Sequence, residues 1–162
     1  MDLPITGEEV MSFPKRIYTS AYSSFRVFGP TLDPLHVTIA LRLPPDHTHR
    51  NGEPRLNRTR NGSVKEYSTY RCGMWSMSSE KWVTSPRLAV HLEWLLHQLE
   101  PRADALTGLG GEGIIMDFFC YSAGNSPLPP SLPQALLARA TALGVVIDID
   151  HFGPPAAPDT SP

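Results

Sequence analysis

The chain is organised around the stretch Tyr70–Leu99, which reads YRCGMWSMSSEKWVTSPRLAVHLEWLLHQL. Its first part, centred on Trp75, has the composition of a strand. Ser85 and Pro86 then have the signature of a helix N-cap and a first-turn proline. The leucines that follow recur at spacings of four, three and four, which is one stripe of a helix. They are Leu88, Leu92, Leu95 and Leu99. The stretch therefore predicts a strand followed by a core helix, and it specifies a core rather than a reaction.

The composition bounds the class of protein. A chain of 162 residues with 41% hydrophobic and 19% charged residues is typical of one globular domain. A formal charge of -2 lacks the basic excess of a dedicated nucleic-acid binder, so we expect no nucleic-acid partner. No apolar run approaches the roughly 18 residues of a membrane span.

The N-terminus and the cysteines bear on the compartment. Met1–Val10 is acidic and has no apolar core, so we expect no secretory signal. The chain has two cysteines, Cys72 and Cys120, in apolar, strand-like contexts. We expect both to be reduced, buried thiols of a cytoplasmic protein.

The sequence predicts further strands and helices on both sides of the central stretch. Residues alternate with a period of two over Ile17–Phe28, Gly113–Tyr121 and Val145–Phe152, which predicts three more strands. Asp33 and Pro34 start a short helix that Pro44–Pro45 should stop, and Ser131–Leu143 reads as the last helix.

The element order predicts an α+β two-layer sandwich. Strands and helices alternate along the chain, so we expect a mainly antiparallel four-stranded sheet with about three helices on one face, in a ferredoxin-like or related arrangement. The domain should span residues 16–152. Residues 1–15 read as a flexible arm, and the proline-rich residues 153–162 read as a disordered tail.

A long polar segment, residues 45–66, interrupts this pattern. It contains two Asn-Gly pairs, at Asn51 and Asn61. A connection of this length in a compact domain is usually functional or mobile, and we favour an irregular exposed loop. Because Asn-Gly also marks hairpin tips, a small β-ribbon is the alternative.

Several phrases, in order, resemble a known bacterial family, the domain-of-unknown-function family 4279. The phrases are Phe25–Gly29 (FRVFG), Leu32–Pro34 (LDP), Gly73–Ser79 (GMWSMSS), His91–Leu96 (HLEWLL), Leu99–Pro101 (LEP) and Phe118–Tyr121 (FFCY). The resemblance covers about Ser20–Phe152 and is weakest in residues 45–66. It implies a single cytoplasmic α+β domain and carries over no catalytic residues.

The sheet face without helices is the main candidate site. If Phe118 and Cys120 face the helices, their neighbours on the same strand face away from the helices. The predicted strands Ile17–Phe28 and Val145–Phe152 alternate in the same way, so each also has a face that points away from the helices. The candidate binding residues are Tyr22, Arg26, Asp117, Phe119, Tyr121, Asp148, Asp150 and Phe152. Aromatic rings, carboxylates and an arginine together are typical of a recognition surface. A homodimer contact, or an outer face without a specific role, is the alternative.

Metal binding and catalysis have weaker support. Asp148, Asp150 and His151 together with His47 and His49 offer metal-ligand chemistry, but the spacing matches no established motif and His151 should point to the other face. We therefore predict no metal, no cofactor and no catalytic residue. Asp117 beside Asp148 or Asp150 would suit acid–base chemistry only if one carboxyl were desolvated.

Three functional hypotheses follow from the sequence. The first is a non-catalytic protein-binding domain of an immunity or regulatory type. The second is an enzyme, or a small-ligand or metal-binding domain, that uses the helix-free face together with residues 45–66. The third is a structural homodimer formed through that same face.

Overall fold

A mixed five-stranded sheet forms one layer of the protein in a computed structural model that describes residues 15–155. The strands are β1 Tyr18–Gly29, β2 His47–His49, β3 Arg55–Arg58, β4 Val64–Tyr67, β5 Gly73–Ser78, β6 Ile115–Gly124 and β7 Val146–Phe152. In the sheet their order is β2-β5-β1-β6-β7, while β3 and β4 form a separate two-stranded ribbon. Every pair in the large sheet is antiparallel except β6 with β7, which run parallel.

Helices form the second layer. They are α1 Pro34–Leu41, α2 Leu88–Leu99, α3 Ala103–Leu109 and α4 Gln134–Ala142, with a short 3-10 turn at Glu100–Arg102 between α2 and α3. Helix α2 packs on β1 and β6, α1 packs on β5, and α4 packs on β7. The α+β sandwich that the sequence predicts is therefore confirmed.

The leucine stripe of α2 is the centre of the core. All four leucines are at most 1% exposed, and they belong to one cluster with Phe25, Trp75 and Phe118. Burying each of these side chains contributes about 1.5–3 kcal/mol, so the stripe is a main source of stability.

Helix α2 begins later than its sequence signature predicts. Ser85 does not cap the helix; Arg87 occupies the N-cap position and α2 starts at Leu88. The Ser85 hydroxyl accepts the Arg87 N–H at 3.1 Å, and the Ser85 carbonyl accepts Nε2–H of His91 at 2.6 Å. The Ser85 carbonyl is thus bound by a side chain of the first turn of α2, and the helix starts three residues after Ser85. Helix α1 starts as predicted, with the Asp33 carboxylate accepting the Leu35 N–H.

The polar segment 45–66 is more ordered than we expected. It supplies β2 as a fifth strand of the sheet, where the sequence predicted four, and it supplies β3. Strands β3 and β4 form the ribbon that was the alternative prediction, with Gly62 at φ +81° in its tip. The irregular-loop prediction is wrong because β2 and β3 are three and four residues long and polar, so neither shows an apolar alternation.

The ends of the chain and the cysteines complete the fold. The predicted arm and tail lie outside the described residues, apart from Lys15 and residues 153–155. Both cysteines are free; Cys120 is buried, whereas Cys72 is half-buried rather than buried. Between residues 15 and 155, every helix is too short or too polar to cross a membrane.

Candidate functional site

All eight predicted site residues lie on one face of the sheet, which we call the open face. Pairing places Tyr22 opposite Tyr121, and Arg26 opposite Asp117, across β1 and β6. The parallel pairing of β6 with β7 places Phe119 beside Asp148 and Tyr121 beside Asp150. The alternate residues of these strands, among them Phe25, Val27, Phe118 and Cys120, are buried in the core. The open face is therefore the one that points away from the core.

An ion pair lies at the centre of the open face. The Arg26 guanidinium donates Nε–H to one Asp117 oxygen at 2.8 Å and Nη2–H to the other at 2.6 Å. Its Cζ lies 4.8 Å from the centroid of the Phe119 ring. The hydrogen bond with Asp117 raises the pKa of Arg26. Arg26 therefore engages both Asp117 oxygens in a bidentate pair, the geometry that fixes a guanidinium and a carboxyl group most firmly against each other.

Aromatic rings continue the open face toward β7. Tyr22 and Tyr121 stack with their centroids 5.0 Å apart and their planes 17° apart. Tyr121 is also 5.6 Å from Phe152, whose side chain is 58% exposed. Burial, followed by the negative charge of Glu80, raises the pKa of Tyr22, so its ring stays uncharged at neutral pH. The three rings form a preorganised apolar surface at the edge of the face.

Two exposed carboxylates flank these rings. Asp148 and Asp150 are two residues apart on β7, so they point to the same side of the sheet. Both are exposed, and neither takes part in an ion pair between described residues. This side of the open face therefore combines apolar rings with uncompensated negative charge.

The histidines of β2 lie at the opposite edge of the sheet. Nε2 of His47 is 3.1 Å from Nδ1 of His49, and the ring of Tyr70 stacks on His49 at 3.5 Å between centroids. Burial, and secondly His47, lowers the pKa of His49. Since β2 and β7 are the two outermost strands, at a spacing of about 4.8 Å per strand these histidines lie roughly 19 Å from the β7 carboxylates.

The hypothetical metal ligands are therefore not brought together. His151 points to the covered face, as expected, where its Nδ1 lies 2.5 Å from the Ser122 hydroxyl. Within residues 15–155 no group of three or more His, Cys, Asp or Glu side chains is arranged to hold a metal ion.

The structure contains two serine–histidine pairs that the sequence does not indicate. His91 lies 2.7 Å from the Ser79 hydroxyl, and the pair of His151 with Ser122 has the same form. In each pair Nε2–H donates to a backbone carbonyl, so in the neutral form of the ring Nδ1 is the nitrogen that accepts the serine proton. Ser79 and Ser122 are both 0% exposed, so the serine of each pair lies in the interior of the fold. The partners are 12 and 29 residues apart, and no local motif marks them.

Four cavities that described residues line do not include the predicted carboxylates. One of about 470 Å³ lies between α4 and the start of β7, and one of about 380 Å³ lies beside α1 and β2. Two smaller ones have volumes of about 280 and 210 Å³. Asp117, Asp148 and Asp150 line none of these four. Asp148 and Asp150 are thus exposed on the surface, and Asp117 is buried at 7% exposure beside Arg26, outside all four cavities.

The family model described as "Domain of unknown function (DUF4279)" matches residues 19–152. The chain belongs to the DUF4279 family. The resemblance seen in the sequence is confirmed, and the match contains all eight open-face residues and ends at Phe152, the last residue of β7. No curated protein and no solved structure matches this DUF4279 domain.

Proposed function

We propose that this DUF4279 domain is a non-catalytic protein-binding domain and that its open face binds a basic macromolecular partner. The observation that carries the proposal is the exposed Phe152 ring, packed on Tyr121 and flanked by Asp148 and Asp150. Rigid aromatic side chains are the residues that most often dominate interface energetics. Exposed carboxylates around them steer a positively charged partner and exclude an acidic one.

The chemistry of the face favours binding over catalysis. Asp117 is buried, at 7% exposure, but its carboxyl group is paired with Arg26, whereas Asp148 and Asp150 are exposed. None of the three is both desolvated and unpaired, as a tuned catalytic carboxyl would be. A small acidic domain that covers a basic surface suits an immunity or regulatory setting in the bacterial cytoplasm. The two free cysteines support a reducing compartment.

Quantitative capture from a lysate of the source organism tests the proposal. The bait proteins are the wild type, the double variant Tyr121→Ala/Phe152→Ala, and the control Ile39→Ala/Val90→Ala. Ile39 on α1 and Val90 on α2 are 67% and 38% exposed, so the control removes two exposed apolar side chains from the helical layer. We expect one basic protein to be enriched by the wild type and the control, and to be lost from the open-face variant.

Equal enrichment by all three baits would contradict the proposal, provided that each variant keeps the wild-type melting temperature. Light scattering at several concentrations decides the homodimer alternative. A dimer that dissociates in the Tyr121→Ala/Phe152→Ala variant would assign the open face to self-association instead.

A small-ligand site is the second candidate function. It is favoured by the cavity of about 380 Å³ beside α1, because five of its lining residues come from the 45–66 segment: Pro45, Thr48, His49, Arg50 and Glu53. A thermal-shift screen of metabolites, with Arg50→Ala as the comparison variant, tests it. Stabilisation of the wild type alone would support this second function, and no stabilisation by any metabolite would contradict it.

A further inference from the structure

Strand β7 is the long edge of the sheet. It has seven residues, pairs with β6 on one side, and has no strand on its other side within residues 15–155. The opposite edge, β2, has only three residues. An unpaired strand edge presents a row of backbone N–H and C=O groups that can pair with another chain. The β7 edge is therefore a template for one more strand.

The covered side of this edge offers an apolar space. The cavity of about 470 Å³ is lined on α4 by Leu137, Ala140 and Thr141, and at the start of β7 by Val145 and Ile147 among others. Ile149, the next residue of β7 on that side, is 36% exposed. A strand added beside β7 would direct every second side chain toward this space.

The open side of the same edge offers negative charge. Asp148 and Asp150 point to the open face and are exposed, with Val146 and Phe152 beyond them at 65% and 58% exposure. Side chains of an added strand on this side would lie directly across from the two carboxylates. Opposite charges in such cross-strand positions attract, and like charges repel.

From this juxtaposition we propose that β7 binds an extended segment of a partner protein in which basic and apolar residues alternate. The basic residues lie against Asp148 and Asp150, the apolar residues enter the cavity under α4, and the backbone pairs with β7. The inference rests on the proposed function and specifies the conformation and chemistry of the partner segment.

A second copy of this chain fits the same edge poorly. Antiparallel pairing of two β7 strands centred on Ile149 would set Asp148 of each copy against Asp150 of the other. Like charges directly opposite each other destabilise a strand pair. The carboxylates thus disfavour self-pairing and favour a basic partner.

A capped octapeptide of alternating Lys and Val, labelled for fluorescence anisotropy, tests the inference on the full chain. Two matched peptides carry backbone N-methyl groups, one on every Lys and one on every Val. In a strand, alternate N–H groups point to the same edge, so one methylated peptide loses its pairing edge while the other keeps it. We expect one of the two to bind like the parent peptide and the other to lose binding. Equal binding of both would overturn strand pairing.

Variants of the protein test the two sides of the edge. Asp148→Asn/Asp150→Asn should weaken binding of the parent peptide about tenfold, since each cross-strand charge pair contributes a fraction of that effect. The control Asp104→Asn/Glu112→Gln removes two exposed carboxylates elsewhere and should leave binding unchanged. Thr141→Phe, at the exposed rim of the cavity, should also weaken binding. If the control variant loses as much peptide binding, the loss reflects only the change in net charge, and the inference is overturned.

Failure of this inference is distinguishable from failure of the proposed function. If the captured partner depends on Tyr121 and Phe152 while no peptide binds, the open face is a binding site and the paired edge is excluded. If the methylated peptides discriminate but no partner is captured, the edge pairing stands and the protein-binding role of the open face fails. A dimer that Asp148→Asn/Asp150→Asn strengthens, together with no peptide binding, would assign the edge to a second copy and overturn the inference.

Discussion

The two faces of the sheet use the same residue types in opposite ways. On the covered face, the polar side chains have fixed partners: Ser79 with His91, and Ser122 with His151. Within the described residues, no buried side-chain nitrogen or oxygen lacks a hydrogen-bond partner. On the open face Asp117 is held by Arg26 in a similar way, whereas Asp150 and Phe152 are exposed to solvent. The difference separates the residues that stabilise the fold from those available to a partner.

Two adjacent residues of β6 show the difference between the faces, because one is buried in the core and the other lies on the open face. Phe118 is 0% exposed and packs against Phe25 at 5.7 Å between ring centroids, whereas Phe119 is half-buried on the open face. Phe118→Ala should lower the free energy of unfolding by about 3–5 kcal/mol, because it leaves a cavity in the core. Phe119→Ala should cost about 1 kcal/mol. Urea unfolding monitored by circular dichroism measures both, and equal losses would break the distinction between the faces.

The buried thiol of Cys120, on the covered face, should make the free energy of unfolding depend on pH. Burial raises the pKa of Cys120 from 9.0 to about 11. Between these values the unfolded chain has released a proton that the folded state retains, so the free energy of unfolding falls as pH rises. Cys120 should contribute a loss of about 2 kcal/mol across this window, since one pKa unit is worth about 1.4 kcal/mol.

Unfolding titrations of the wild type and Cys120→Ala from pH 8 to 11 measure this contribution. The variant controls for tyrosines and lysines that titrate in the same range. Identical slopes for the two proteins would show that Cys120 is not held as a buried thiol.

A pair of serines tests the role of fixed hydrogen bonds. Ser79→Ala removes the hydroxyl that donates to His91 and accepts the backbone N–H of Ser23 at 3.0 Å. We expect a loss of about 1–3 kcal/mol, because two buried polar groups lose their partner. Ser76→Ala, on the open side of β5, should change stability by less than about 0.5 kcal/mol. Thermal unfolding compares the two, and a larger loss for Ser76→Ala would contradict the assignment of the faces.

The smallest effect on stability is expected from the variant that removes the two exposed carboxylates of β7. Asp148→Asn/Asp150→Asn should change the free energy of unfolding by less than about 0.5 kcal/mol, because both carboxylates are exposed and make no ion pair with a described residue. The same variant should reduce the salt dependence of partner binding. Salt titration of the captured complex checks this, and an unchanged slope would exclude these carboxylates from the interface.

The sequence was sufficient to place the eight open-face residues together, because side chains alternate strictly along each strand. It could not predict which residues pair across strands. That Arg26 meets Asp117, and Tyr22 meets Tyr121, depends on a register between segments about a hundred residues apart. Without the register, the ion pair that neutralises Asp117 is invisible, so Asp117 looked as available as Asp148.

Two further features could not be predicted from the sequence: a short polar strand and the exact start of helix α2. Strand β2 has the sequence His47-Thr48-His49, which carries no apolar alternation, and only its pairing with β5 makes it a strand. Ser85 and Pro86 have the local signature of a helix start, but a hydrogen bond from His91 displaces the start of α2 to Leu88. In the first case a strand pairing between distant segments determines the element, and in the second a side-chain hydrogen bond six residues along the chain accompanies the later start.

Aromatic NMR of the protein bound to its captured partner shows which face of the sheet binds. With labelled Phe and Tyr rings, we expect binding to shift the signals of Tyr22, Tyr121 and Phe152, while those of Phe25 and Phe118 stay in place. Shifts in the two core rings with none in the three open-face rings would contradict the claim that the open face is the binding site.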